Sequence, residues 1–211
     1  MFFFTLFSGL LDATTPSKGS VPKKGIAIWF TGLPGSGKSS ICDYVLERLK
    51  EQGYAPVLLR MDERRKVYFP NPQYTSEERE KAYHYFAWEG IQTALEGNLA
   101  LMDATAPRIA MRTLVRQKAP RFAEIHISCS LDTAMKREQS RPEGLIMADL
   151  YQKALQRQKT GEDFPGLGQV IGVDVPFEVD PEAELILEND HLSLEQAGGQ
   201  VTDFILTRLL P

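Results

Sequence analysis

The stretch Gly25-Ile-Ala-Ile-Trp-Phe-Thr-Gly-Leu-Pro-Gly-Ser-Gly-Lys-Ser-Ser40 constrains the chain more than any other: an apolar run enters a glycine-rich turn, and a helical pattern leaves it. Gly32, Gly37, Lys38 and Ser39 complete G-x-x-x-x-G-K-S, the pattern of a loop that wraps phosphate. Glycines let successive backbone N–H groups turn inward around anionic oxygens, and the helix beginning near Lys38 adds its positive end. Gly32, Leu33, Pro34, Gly35, Ser36, Gly37, Lys38, Ser39 and Ser40 are therefore expected to hold the phosphates of ATP. Within that set Lys38 supplies a mobile cation for the β- and γ-phosphates, and the Ser39 hydroxyl a ligand for Mg²⁺.

A chain of 211 residues has the length of one α/β domain with a full core. Its net charge of −4 argues against nucleic acid as the main partner, which would call for a basic surface. The two cysteines, Cys42 and Cys129, suggest buried thiols in a reducing compartment, the cytoplasm. Residues 1–24 read as an apolar, Phe-rich start followed by a Thr/Ser/Pro/Lys linker. That start is too short for a membrane span and lacks the basic region of a signal peptide. Packing or disorder is expected of it rather than membrane attachment, and the remaining residues, 25–211, form the main domain.

The helix after the loop is expected from Lys38 to Gln52, with Ile41, Val45, Leu46 and Leu49 on one face. Further strands are expected at 56–60, 99–103, 123–129 and 184–188, separated by helical patterns. This alternation predicts a parallel sheet with helices on both faces, and ligands then collect at the carboxyl ends of the strands. Asp62, at the end of the second strand, is a candidate to orient or deprotonate an accepting hydroxyl, and Arg65 three residues on a candidate to grip an acidic substrate. The alternative for Asp62 is a helix cap followed by a solvated charge run, and Arg60, Glu63, Arg64 and Lys66 are expected at the surface. Thr75 to Glu78 read as a capping box opening a helix over Ser76 to Glu96, whose aromatic residues Tyr83, Tyr85, Phe86 and Trp88 are expected in the core or the lid. Asp103 closes the third strand and is either a Mg²⁺ holder or a helix cap. Pro107 is expected to start the next helix, carrying Arg108 and Arg112, either of which could face an anionic acceptor although helix arginines are exposed by default. Over about 137–170 the composition suggests a lid that excludes water, with Arg137 the cation chosen to meet ATP.

These residues resemble the adenylyl-sulfate kinase family, phosphate-loop kinases that phosphorylate the ribose 3′-hydroxyl of adenylyl sulfate with Mg-ATP. Trp29 to Ser40 is similar to the family's opening motif, and Asp62 falls on the second aspartate of its Asp-Gly-Asp-Asn-x-x-Arg segment. Tyr74-Thr-Ser-Glu-Glu-Arg79 resembles Phe-Ser-x-x-Asp-Arg, and Ala106-Pro-Arg108 with Arg112 resembles Ser-Pro-x-Arg. Asp149 to Ala154 is similar to Gly-Leu-Tyr-Lys-Lys-Ala, and Ile171 to Glu178 to Thr-Gly-Ile-Asp-x-Pro-Tyr-Glu. The resemblance implies a nucleoside-kinase-like three-layer α/β/α fold of the P-loop NTPase type, with a mostly parallel five-stranded sheet and a lid. It also implies substrate-binding roles for Arg65, Tyr74, Arg79, Pro107 and Arg108. Arg60 and Met61 stand where the family has its first aspartate and glycine, Glu63 where it has asparagine, Ala148 where it has lysine, and Val170 where it has an aromatic residue. These departures fall mainly on acceptor and lid positions. The leading expectation is a kinase acting on adenylyl sulfate or a similar small molecule. A kinase of a nucleotide, sugar or polynucleotide 5′-hydroxyl, and an ATP-binding regulatory module, are the alternatives; a homodimer stays open.

Overall fold

Six consecutive buried residues, Ile26–Thr31, form β1, the middle of a sheet covered on both faces. In the computed structural model, which describes residues 24–72, 75–140 and 149–210, four more strands join it. They are β2 (Val57–Arg60), β3 (Leu99–Asp103), β4 (Phe122–Ser128) and β5 (Leu185–Glu188), in the order β2-β3-β1-β4-β5, and every pairing is parallel. The chain fills β2 and β3 on one side of β1 and then crosses to β4 and β5 on the other, so a crevice opens above the carboxyl ends of the central strands.

One face of the sheet is covered by α1 (Lys38–Glu51) and α7 (Leu194–Phe204), the latter running on into a π-helical turn, Ile205–Leu209. Ile41, Val45 and Leu49 of α1 and Ala197 and Val201 of α7 meet Ile28, Phe30, Leu101 and Ile127 there. The opposite face carries α2 (Met61–Tyr68), α3 (Ser76–Leu95) and α4 (Ile109–Lys118), with Phe86, Ile91 and Val115 packed on Trp29 and Met102. Three layers and a parallel five-stranded sheet are thus as expected. A third cluster joins α5 (Leu131–Gln139) to α6 (Leu150–Thr160) through Ala134, Tyr151 and Ala154. The Phe-rich start and most of the linker lie outside the described residues, as do 141–148 of the segment expected as a lid.

Local expectations need four corrections. Tyr85 and Trp88 are exposed, because the aromatic run from Tyr83 to Trp88 wraps around α3 and only Tyr83 and Phe86 face the sheet. Pro107 does not start α4: Arg108 is the cap residue, with extended backbone, and the helix begins at Ile109. Arg112 is no exposed helix cation but is 1% accessible, paired with a buried carboxylate. Cys42 is buried as expected, whereas Cys129 is only half-buried, because it follows the end of β4.

Candidate active site

β1 ends at Thr31, and the backbone then passes through three positive φ angles, at Gly32, Gly35 and Gly37, before α1 begins at Lys38. Gly35, at φ 81°, has no room for a side chain: a Cβ would lie 2.3 Å from the Ala134 carbonyl oxygen of α5. The loop's carbonyls are tied outward. Tyr151 of α6 donates its hydroxyl to the Pro34 oxygen at 2.7 Å, and the Ser36 oxygen accepts from Asn189 Nδ2 at 2.8 Å and from Arg137 Nη1 at 3.2 Å. In a planar trans peptide the following N–H points the opposite way, so these bonds turn the Gly35 and Gly37 N–H groups away from the bracing side chains. The Ser36 hydroxyl is buried and has no hydrogen-bond partner among the described residues. A concave run of amides beside an orphaned hydroxyl fits a phosphate group.

Next to this loop, Asp103 at the end of β3 is 6% exposed, with the Ser39 hydroxyl close enough to favour its charged form. Burial raises its carboxyl above the ordinary range against the pull of Lys38, Ser39 and Arg60, and Asp62 adds to the rise. Its Oδ1 has no hydrogen-bond partner among the described residues. A buried carboxylate oxygen with an open lone pair beside a hydroxyl fits a hard divalent cation such as Mg²⁺. The capping alternatives are excluded by position: Arg108 caps α4, and Arg60, not Asp62, precedes the first residue of α2. Ser40 is exposed on α1.

Asp62 lies in the first turn of α2, exposed, and its charge reaches both Asp103 and the buried Tyr83 of α3. Tyr83 is also within reach of Arg65 and Arg79, and its hydroxyl accepts the Ala106 N–H at 2.8 Å. Arg65 is 9% exposed and 3.5 Å from Glu78, whose own N–H is capped by the Thr75 hydroxyl. Burial lowers the pKa of Arg79, and the like charges of Arg65 and Arg108 lower it further. Arg79 Nη2 donates to the Gln169 carbonyl at 2.7 Å, which joins the loop after α6 to α3. Arg108 is more peripheral, half-exposed and bound to Glu80 at 3.0 Å. Tyr74 lies outside the described residues.

Behind this arginine cluster the loop of Pro107 is held by the segment around Glu178. Glu178 donates its N–H to the Pro107 carbonyl at 2.8 Å, and its carboxylate accepts the Ile109 N–H at 2.8 Å. Arg112 spans the same two segments, donating to the carbonyls of Ala106 and Glu178 and to the Glu124 carboxylate. Ala106 keeps a positive φ of 42° under that grip.

The structure therefore brings the phosphate loop, Asp103, Arg137, Asp62, Arg65 and Arg79 to one end of the sheet and leaves Arg108 at the rim. Three residues were given no role from the sequence. Asn189 directly follows β5, where the rule of inspecting polar residues after each strand points. Tyr151 and Gln169 act through contacts across ninety positions or more, and no local spacing signals those contacts.

The family model described as Adenylylsulphate kinase matches residues 24–188. A probable adenylyl-sulfate kinase of Aeropyrum pernix is 30% identical over 177 residues, covering 82% of this chain and 88% of the relative. An adenylyl-sulfate kinase of Bacillus velezensis is 28% identical over 188 residues, covering 88% and 87%. The Mycobacterium tuberculosis APS kinase solved in complex with AMPPNP and APS superposes with a TM-score of 0.69 at 25% identity, over 89% of this chain and 100% of that one.

Proposed function

Since this chain belongs to the adenylylsulphate kinase family, a family of phosphotransferases, we propose that it transfers the γ-phosphoryl group of Mg-ATP to the 3′-hydroxyl of adenylyl sulfate. One observation carries the reading: the charge of Asp62 reaches both the phosphate-loop corner at Asp103 and the arginine cluster at Tyr83. The loop amides and Lys38 grip the triphosphate, and Lys38 meets charge that develops on the transferring group. Mg²⁺, held by Ser39 and Asp103, would neutralise the phosphate oxygens when bound. Arg65 and Arg79 hold the anionic acceptor, as guanidinium forks suit sulfate and phosphate oxygens. Asp62 orients the acceptor hydroxyl and takes its proton on a carboxylate oxygen as the bond to phosphorus forms and the bond from the γ-phosphorus to the bridging oxygen breaks, with ADP leaving. The relative solved with AMPPNP and APS supports this pair of substrates.

Arg60, Met61 and Glu63, where the family has aspartate, glycine and asparagine, favour a second reading in which the same machinery serves another small acceptor. The test offers adenylyl sulfate, nucleosides, sugars and a 5′-hydroxyl oligonucleotide in parallel with γ-labelled Mg-ATP, with Lys38→Ala as the blank. Label on adenylyl sulfate that vanishes in the blank is expected. Label on another acceptor alone moves the assignment to the second reading, and no label anywhere favours a nucleotide-binding module.

A further inference from the structure

Arg60 ends β2 in direct register with Asp103 of β3, so the two residues stand side by side at the metal corner. Its guanidinium is shared among carboxylates. Nη2 is hydrogen-bonded to Asp43 of α1, Nη1 is 4.0 Å from Asp103 Oδ2, and Nε is 3.9 Å from Glu63. The Arg60 side chain is 24% exposed, Asp43 52% and Asp103 6%. One cation is thus suspended between a solvated partner and a buried one.

We propose that Arg60 is a positioning residue that competes with Mg²⁺ for the Asp103 carboxylate, with Asp43 as the alternative partner that draws the guanidinium aside. The inference rests on the reading of Ser39 and Asp103 as the metal corner. The chemistry follows from the distances. At 4.0 Å Arg60 attracts Asp103 without donating a hydrogen bond to it, so the carboxylate keeps Oδ1 available. A divalent ion arriving at Asp103 repels the guanidinium, and the bond to Asp43 gives it somewhere to go. Without Asp43, Arg60 keeps only the weakly held, solvated Glu63 beside Asp103, and its charge leans further onto Asp103. Arg60 therefore sets how much free Mg²⁺ the nucleotide complex needs, and Asp43 sets how strongly Arg60 competes.

The two residues must act with opposite signs, which a structural role shared by them would not produce. The measurement is Mg²⁺ titration of the ADP complex by calorimetry for wild type, Arg60→Met, Asp43→Asn and the double variant. Arg60→Met should lower the apparent Mg²⁺ Kd by about two- to fivefold, the size of a weak, solvent-screened ion pair. Asp43→Asn should raise it by a similar factor, and the double variant should follow Arg60→Met, since Asp43 acts only through Arg60. Wild type that binds Mg-ADP with Arg60→Met unchanged or weaker overturns the proposal and leaves the kinase reading standing. So does an Asp43→Asn protein that binds Mg²⁺ more tightly. Wild type that binds no nucleotide in the presence of Mg²⁺ overturns the kinase reading and this proposal with it.

Discussion

Arg112 donates through Nε to Glu124 Oε2 at 2.9 Å, and the two side chains are 1% and 0% exposed. The pair crosses from α4 to β4, and the other guanidinium nitrogens hold the carbonyls of Ala106 and Glu178. It thereby fixes the loop whose Ala106 N–H binds the Tyr83 hydroxyl, beside Arg65 and Arg79. Removing one partner of a buried pair leaves an uncompensated charge, so Arg112→Met should cost about 3–5 kcal/mol of stability. Arg112→Met combined with Glu124→Gln should recover part of that loss. Urea denaturation of the two variants measures both effects, and a single variant within about 1 kcal/mol of wild type would contradict the account.

His126, on the same strand and the same face as Glu124, is stacked on Phe177 with ring centroids 5.0 Å apart. Burial, assisted by the Arg112 charge, lowers its pKa from 6.5 to about 4. Below pH 6.5 the unfolded chain takes up a proton that the folded protein refuses down to about pH 4, so this group's contribution to stability is lost as pH falls through that window. Glu124, raised by burial to about 7, acts with the opposite sign, losing its contribution as pH rises toward 7. His126→Gln should therefore gain on wild type by roughly 2–3 kcal/mol between pH 6.5 and 4, measured by denaturation at each pH. A difference between the two proteins that stays constant over this range would contradict it.

Asn189 and Arg137 share the Ser36 carbonyl, and Arg137 also binds the Asn189 carbonyl at 2.6 Å. Asn189→Ala should loosen the phosphate loop and raise the ATP KM by about tenfold, the worth of a buried hydrogen bond, with the acceptor KM little changed. Steady-state kinetics with each substrate varied in turn separates the two. Equal effects on both substrates would mean that Asn189 supports the domain rather than the loop.

Arg65 and Arg79 should show the reverse pattern. Removal of a charge-assisted hydrogen bond to an anion costs about 1.5–3 kcal/mol, so Arg65→Ala and Arg79→Ala should each raise the acceptor KM about tenfold to a hundredfold. ATP affinity, followed by equilibrium titration, should stay within about threefold, a shift below 1 kcal/mol. Loss of ATP binding in either variant would remove the pair from the acceptor side.

Much of this arrangement was legible in the sequence because short-range patterns carry it. The phosphate loop is fixed by glycines at positive φ and by the strand and helix on either side of it, all within Gly25 to Leu49. Asp62 and Asp103 were visible as polar residues closing apolar runs, and the α/β alternation located the crevice above them. Arg112 was misread because spacing on a helix shows a face but not what covers it, and the buried partner Glu124 lies on another strand. Pro107 was misread because the carbonyl grips of Arg112 and the Glu178 segment, both long-range, set the backbone there. Arg60 read as surface for the same reason: its pairing with Asp103 exists only once β2 and β3 lie side by side.

In the proposed mechanism Asp62 acts on the acceptor hydroxyl while the phosphate loop holds ATP independently of it. The most direct measurement is turnover of adenylyl sulfate by Asp62→Asn alongside its equilibrium affinity for ATP. The expected result is a kcat lower by about a hundredfold or more, the range for loss of a positioned base, with ATP affinity close to wild type. Undiminished turnover in Asp62→Asn would contradict it.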